Sequence, residues 1–296
     1  SKKLAEDIKE LVPERKEEVS VLVVGLGNRE VTPDALGPYV ADHLHVTRHI
    51  VKEYGKYAMG KDQVYLVSAV VPGVTGQTGM ETLEIVKGVV EETEPDFVVA
   101  IDALAARNSK RLNRTIQITD TGICPGSGVG NHRLALNSET LGVKVIGIGV
   151  PTVVDAVTIV NDTMENFIVA LESSELLKSV GETLRSYNEA EKQELIRELI
   201  APHLNGMYMT PKNIDDTIKR VSFTISEALN ILFSEGTGSY SLKAGRLWQD
   251  GQEQQKIVGK WMREKEMEAD RDRKYDWKDR SLSCVFMYFA KYGDSF

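Results

Sequence analysis

Two aspartates stand where apolar runs meet polar loops, and such a pair of carboxyls could perform acid–base hydrolysis. Asp34 belongs to the stretch VVGLGNREVTPDALGPYV, residues 23–40, and Asp102 lies inside VVAIDALAARN, residues 98–108. A charged side chain beside a buried apolar run requires a partner, a metal or a chemical role. Two close carboxyls resist double ionisation, so one keeps a proton near neutral pH while the other can act as a base.

The residues before Asp34 also allow a purely structural interpretation. Thr32 could cap a helix whose first residue is Pro33, and a carboxylate in the first turn would then be favoured by the helix dipole. The two interpretations are compatible, because a carboxylate in the first turn of such a helix also faces the crevice at the strand ends. Asp34 is therefore predicted to be both a helix-start residue and a reacting group.

The same loop carries the beginning of a dinucleotide-binding pattern. Gly25 and Gly27 supply its first two glycines, but Glu30 stands in place of the third. Its charge would repel a pyrophosphate, which disfavours a nucleotide cofactor. The glycines are better explained by a tight turn and a close approach of the backbone.

Two further glycine-rich loops could hold a peptide substrate through backbone N–H groups. One is VPGVTGQTGMET, residues 71–82, and the other is CPGSGVGN, residues 124–131. For the first loop, a flexible joint before a helix is an equally open explanation. The predicted substrate-binding residues are Gly73, Gly76, Gly79, Gly126, Gly128 and Gly130.

Other reactive side chains give weaker signals. Cys124 could be a nucleophile only with a base beside it, and His132 is the nearest candidate. His45 and His49 have a spacing that could chelate a metal, but the sequence lacks the glutamate of the metalloprotease pattern. Asp155 is predicted to stabilise a helix start and not to react.

The elements that would position Asp34 and Asp102 form a strand–helix alternation. Nearly continuous apolar runs at 19–27, 63–71, 96–104 and 143–150 are typical of strands buried on both faces of a parallel sheet, with helical patterns between them. A weaker alternating strand at 114–120 is expected at an edge. Such sheets bind ligands outside the carboxyl ends of their strands.

Beyond residue 172 no further strand is predicted, and helical patterns occur at 191–206 and 214–233. The sequence therefore predicts an α/β fold, with a mostly parallel central sheet, helices on both faces and a helical C-terminal part. Its expected parts are a catalytic core (1–171), a helical part of the same domain (172–235) and a densely charged tail of unassigned role (236–296).

Composition narrows the functional class. The chain has 296 residues, 42% of them hydrophobic, and its formal net charge of −8 argues against nucleic-acid binding. Two cysteines cannot form a disulfide framework, which favours a reducing compartment. No apolar run is long enough to cross a bilayer, so a membrane partner is not expected.

Taken together, these strings resemble the germination protease family of spore-forming Firmicutes. The similarity rests on VTPDALGP, VPGVTGQTGMET, PDFVVAIDALAAR, PGSGVGN and GVPTVVDAV, and it covers about residues 20–235. It implies an endopeptidase that degrades small acid-soluble spore proteins in the cytoplasm of the spore core. The enzyme would be a homotetramer made as a zymogen, with Asp34 and Asp102 as its catalytic pair and no cofactor.

Two alternatives stay open. The family shares its fold with hydrogenase-maturation endopeptidases, in which acidic residues at these two places hold nickel, so a metal-dependent endopeptidase is possible. A non-catalytic module that binds spore proteins is the other. The roughly twenty residues before the first strand are fewer than in the family, which suggests a processed or truncated N-terminus.

Overall fold

The computed structural model describes residues 1–13, 17–59, 63–126, 133–196, 198 and 202–234. All of them belong to one compact unit, Ser1–Gly236. The predicted charged tail, 236–296, lies outside the described residues, and the proposed division at residue 171 stays a prediction.

One six-stranded sheet forms the centre of this unit, in the order β2-β1-β3-β5-β4, with β6 pairing to β5. Strands β2, β1, β3 and β5 are parallel, and β4 and β6 run antiparallel to β5. The strands are β1 (Glu18–Gly25), β2 (Val64–Val70), β3 (Phe97–Ala106), β4 (Gln117–Thr119), β5 (Lys144–Asp155) and β6 (Tyr208–Met209). The predicted mostly parallel α/β fold is confirmed, with β4 at an edge.

Helices cover both faces of the sheet. They are α1 (Lys2–Lys9), α2 (Leu36–Asp42), α3 (Arg48–Tyr54), α4 (Thr75–Thr78), α5 (Thr82–Thr93), α6 (Ser138–Leu141), α7 (Ala156–Glu172), α8 (Lys178–Arg185), α9 (Glu189–Leu195) and α10 (Ile214–Ser234). Helices α1, α2 and α10 share one apolar core with the sheet, and α5 and α6 share the core on the opposite face. In the described part of the chain, no helix is both long and apolar enough to span a bilayer.

The alternation of β1 explains these two cores. Its odd-numbered residues Val19, Val21 and Val23 enter the first core, whereas Leu22 and Val24 enter the second. A strand buried on both faces must be apolar at successive positions, which is why this part of the sheet is readable in the sequence.

Three expectations about the elements were wrong. The helical pattern that follows the first strand, PYVADHLHVTRHIVKEY at 38–54, was expected to be one helix. It forms two, α2 and α3, because the chain between them hydrogen-bonds to β2 through Thr47. Strand β5 continues to Asp155, beyond the predicted end at 150. Strands do not stop at 172, since β6 pairs Met209 with Val154.

The order of the strands identifies the crevice where a ligand is expected. From β1 the chain passes to β2 on one side and then returns to β3 on the other side of β1. Ligands of open α/β sheets bind at such a reversal, outside the carboxyl ends of the strands. Asp34 follows β1 and Asp102 lies near the end of β3, so both predicted catalytic residues flank this crevice.

Candidate active site

Asp34 is held by the loop that follows β1. It is the last residue of a single 3₁₀ turn, Thr32–Asp34, which precedes α2. Its Oδ2 accepts a hydrogen bond of 2.7 Å from the backbone N–H of Asn28. Thr32 makes no side-chain cap, so the predicted N-cap role was wrong. The carboxylate is fixed by its own loop instead.

Gly27 makes this loop possible. Its φ of +113° is unfavourable for other residues, and an added Cβ would lie only 1.9 Å from the carbonyl oxygen of Asp34. The same Cβ position is 3.2 Å from Oδ1 of Asp34. The glycine therefore provides the close approach of the backbone that the sequence predicted, here between the loop and the aspartate.

Asp102 lies in β3, opposite Gly149 of β5 and one residue beyond the last pairing with β1. It is only 4% exposed. Its Oδ1 accepts a hydrogen bond of 2.9 Å from the backbone N–H of Ala103, and the nearby backbone N–H of Gly126 lowers the pKa of the carboxyl. Among the residues that the structure describes, its buried Oδ2 has no hydrogen-bond partner.

The two carboxyls affect each other electrostatically. Burial, followed by the nearby charge of Asp34, raises the pKa of Asp102 to about 8, against the hydrogen bonds from Ala103 and Gly126. Burial also raises the pKa of Asp34, and the hydrogen bond from Asn28 opposes this rise. The structure therefore brings together the two predicted catalytic residues in a low-dielectric crevice.

The first glycine-rich loop touches the loop of Asp34 through a side chain that the sequence did not single out. Nε2 of Gln77 donates a hydrogen bond of 3.0 Å to Oδ1 of Asn28. Gly73 precedes the short helix α4, Gly76 lies within it and Gly79 ends it. The N–H of Gly79 already bonds to the carbonyl of Thr75.

The second glycine-rich loop reaches Asp102 at its beginning. Gly126 has a φ of +69°, and its backbone N–H lies close enough to Asp102 to lower the pKa of that carboxyl. Gly128 and Gly130, also predicted to bind substrate, lie outside the described residues, as does His132. After this loop, Nη1 of Arg133 forms an ion pair of 2.7 Å with Oε1 of Glu81 at the start of α5.

The remaining candidates are a helix cap, a free thiol and possible metal ligands. Asp155 caps α7 by accepting a hydrogen bond of 2.9 Å from the N–H of Val157, which matches its predicted role at a helix start. Cys124 is an exposed free thiol. Within the described ranges, no three His, Cys, Asp or Glu side chains are grouped so that they could hold a metal ion.

One main-chain donor and one side chain were missed by sequence reasoning. The N–H of Asn28 holds the Asp34 carboxylate, and such a bond depends on loop conformation and not on residue type. Gly126 was predicted to bind substrate, whereas its N–H lies near Asp102. Gln77 is a side-chain contact between two loops far apart in sequence. The asparagine directly after the predicted turn at Gly27 was the one available signal, since asparagine side chains often organise turns.

Comparison with known proteins gives consistent matches. The family model described as germination protease matches residues 1–179. A germination protease of Caldanaerobacter subterraneus subsp. tengcongensis is 51% identical over 237 residues, which cover 80% of this chain and 72% of that protein. One from Clostridium perfringens strain SM101 is 49% identical over 216 residues, covering 73% and 66%.

Among solved structures, a [NiFe] hydrogenase maturation protease HycI from Thermococcus kodakarensis KOD1 is similar at 16% identity and a TM-score of 0.34. The match covers 75% of this chain and 98% of that one.

Proposed function

Because this chain belongs to the germination protease family, we propose that it hydrolyses peptide bonds in small acid-soluble spore proteins, with Asp34 and Asp102 as its acid–base pair. The observation that carries the proposal is the buried, unpartnered Oδ2 of Asp102 in the same crevice as Asp34. A buried oxygen without a hydrogen-bond partner costs free energy, and a catalytic role is one explanation for keeping such a group.

The surroundings of the two carboxyls support different roles for them in this proposal. Asp102 is buried and keeps its proton at neutral pH, so it is the acid. Asp34 is less buried and receives a hydrogen bond from Asn28, which favours its ionised form, so it is the base. The assignment is a joint property of the pair, because the charge of Asp34 is part of what keeps Asp102 protonated.

In the reaction, the Asp34 carboxylate takes a proton from a water molecule, whose oxygen attacks the carbonyl carbon of the scissile peptide. The proton on Oδ2 of Asp102 passes to the carbonyl oxygen as the tetrahedral intermediate forms. When this intermediate collapses, the C–N bond breaks and the proton held by Asp34 passes to the leaving amine. Asp102 recovers its proton from the hydroxyl, so both carboxyls return to their starting states.

The test is cleavage of a purified acid-soluble spore protein by Asp34→Asn and Asp102→Asn. Each variant should lose at least about 100-fold in kcat, the lower range of general acid–base contributions. The matched control is Asp155→Asn, because asparagine caps a helix about as well as aspartate and activity should be retained. Near-normal cleavage by a folded variant of either catalytic residue would contradict the pair.

Two controls separate this proposal from its alternatives. Loss of activity on treatment with a chelator, followed by recovery with a divalent metal, would favour a metal-dependent endopeptidase. Tight binding of the spore protein without product fragments would favour a non-catalytic module. The family membership also supports three associated proposals: synthesis as a zymogen, assembly as a homotetramer and action in the cytoplasm of the spore core.

A further inference from the structure

The outer edge of β2 is the free side of the sheet nearest to the active site. Strand β2 pairs only with β1, and its residues alternate between bonding towards β1 and facing outward. The N–H of Val64 donates to Glu17 in front of β1. Even-numbered residues of β2 therefore bond to β1, and the N–H and C=O groups of Tyr65, Val67 and Ala69 face outward.

The first part of this edge is closed by Thr47, in the connection between α2 and α3. Its N–H donates to the carbonyl of Val67 at 2.9 Å, and its Oγ1 accepts from the N–H of Val67 at 3.0 Å. The same hydroxyl donates to the carbonyl of Tyr65 at 2.5 Å. One threonine thus occupies the outward backbone groups of two successive odd-numbered positions.

The edge is open at Ala69. Among the described residues, none donates to or accepts from its outward backbone groups, and the residue is partly exposed. His45, two residues before Thr47, directs its own N–H to Asn230 of α10. An unpaired strand edge is a template for another extended chain, and Thr47 covers part of this one. Ala69 is the open position at the carboxyl end of β2.

This open position is continuous with the active site. The chain leaves β2 at Val70 and enters the loop that carries Gln77, which bonds to Asn28, whose N–H holds Asp34. Strands of a sheet lie about 4.8 Å apart, so a chain added outside β2 would be about 10 Å from β1 and about 14 Å from β3. Three to four extended residues, at about 3.3 Å each, cross that distance.

We propose that the outer edge of β2 at Ala69 binds an extended segment of the substrate polypeptide as an added strand, three to four residues from the scissile bond. The inference rests on the proposed function, because it concerns the same substrate. It gives that substrate a second contact with the protein, outside the scissile bond. Backbone pairing of this kind gives affinity with little demand on side chains. It also requires the substrate to be extended, so a folded or helical segment is excluded.

The first experiment changes the edge itself. Ala69→Pro removes the outward N–H while leaving the bonds of β2 to β1 intact, and proline is tolerated on edge strands. We expect KM for an acid-soluble spore protein to rise about five- to tenfold, as for the loss of one or two backbone hydrogen bonds, with kcat unchanged. Ala69→Ser keeps the N–H and should retain the original KM. An unchanged KM in a folded Ala69→Pro variant would overturn the proposal.

The second experiment leaves the protein unchanged and so does not depend on the folding of a variant. A peptide of about sixteen residues around the cleaved bond is N-methylated at one position at a time. Because Ala69 offers one carbonyl, methylation should raise KM at the single substrate N–H that donates to it, three to four residues from the scissile bond, and leave the two neighbouring positions unaffected. A flat profile in that region, or equal sensitivity at consecutive positions, contradicts an added strand.

Failure of the proposed function can be told apart from failure of this inference. If the wild-type chain does not cleave the spore protein, the function proposal fails. Binding of the fluorescently labelled spore protein then tests the edge by itself. Weaker binding by Ala69→Pro than by Ala69→Ser supports the added strand, and equal or absent binding overturns it. A change in oligomeric state without a change in KM would show that the edge binds a second copy of the chain, and would also overturn it.

Discussion

Asp34 and Asp102 carry the same carboxyl group in different surroundings, and the proposed mechanism uses this difference to assign them different roles. Asp102 is inside the sheet, where removal from water makes its ionised form unfavourable. Asp34 stands on a loop whose backbone donates to it. In the proposed pair, a neutral acid beside an ionised base follows from burial and one hydrogen bond, and among the described residues no cationic side chain contributes to either pKa.

The first prediction at this scale concerns pH. Because the pKa of Asp102 is raised to about 8, the acid should lose its proton as the pH passes through that region. Under the proposed mechanism, kcat should be sustained at neutral pH and fall by about tenfold for each pH unit well above 8. The measurement is kcat for spore-protein cleavage between about pH 6 and pH 10. A plateau that extends to pH 10 would contradict Asp102 as the acid.

The same proton has an effect on stability that does not depend on catalysis. Between the ordinary pKa of 3.8 and about 8, the folded chain keeps a proton that the unfolded chain has lost. The free energy of unfolding should therefore fall as the pH rises through this window, by up to about 1.4 kcal/mol per pH unit. Asp102→Asn has no titrating carboxyl at this position, so its free energy of unfolding does not fall for this reason. Its stability relative to wild type should therefore increase with pH. Urea unfolding of both proteins at several pH values measures the difference.

At the scale of elements, the candidate active site depends on the relative position of two loops, the one after β1 and the one after β2. Asn28 accepts hydrogen bonds from the N–H of Glu30 and from Nε2 of Gln77, each at 3.0 Å, while its own N–H holds Asp34. One asparagine thus connects the loop after β2 to Asp34, the proposed base. Since Gln77 is exposed, this contact contributes more to position than to stability.

We expect Gln77→Ala to lower kcat/KM by about three- to tenfold while its free energy of unfolding changes by less than about 1 kcal/mol. A double-mutant cycle with Asn28→Ala provides the control. If the hydrogen bond is what matters, the double variant should be no worse than the more impaired single variant. Strictly additive losses would show that the two side chains act independently.

The elements differ in how far the sequence predicted them. The four parallel strands were readable because a strand buried on both faces must be apolar throughout, as in β1. The break between α2 and α3 was not, since it depends on the bonds of Thr47 to a strand twenty residues away. The two residues of β6 pair only because α7 and the following chain return to β5. Such non-local contacts leave no periodic pattern.

The candidate site, like the fold, was only partly predictable from the sequence. Asp34 and Asp102 were identifiable because a carboxyl next to a buried strand is unusual. What holds them was not, because the donors are backbone N–H groups whose direction depends on the folded loop. Thr32 illustrates the error, since a plausible N-cap forms a 3₁₀ turn instead when the loop closes over Gly27.

At the scale of the whole described unit, the last described helix, α10, shares a core with the first, α1. Its apolar face packs in the same core as α1 and α2, on one side of the sheet. The side chain of the buried Asn230 connects α10 to the chain after α2. It accepts a hydrogen bond of 2.9 Å from the N–H of His45 and donates one of 3.0 Å to the carbonyl of His43. The helical part from residue 172 and the sheet therefore share core residues, which favours the prediction that they form one domain.

Asn230→Ala tests whether α10 and the sheet form one domain. The variant leaves two backbone groups near α10 without partners and removes a buried side chain, so unfolding should become easier by about 2 to 4 kcal/mol. Thr224→Ala is the control, because that hydroxyl bonds only within α10, to the carbonyl of Arg220, and should cost less than about 1 kcal/mol. If α10 and the sheet unfold together as one domain, urea unfolding followed by circular dichroism and by tyrosine fluorescence should give coincident single transitions in both variants. Two separated transitions, with only the first shifted by Asn230→Ala, would show that α10 and the sheet belong to different domains.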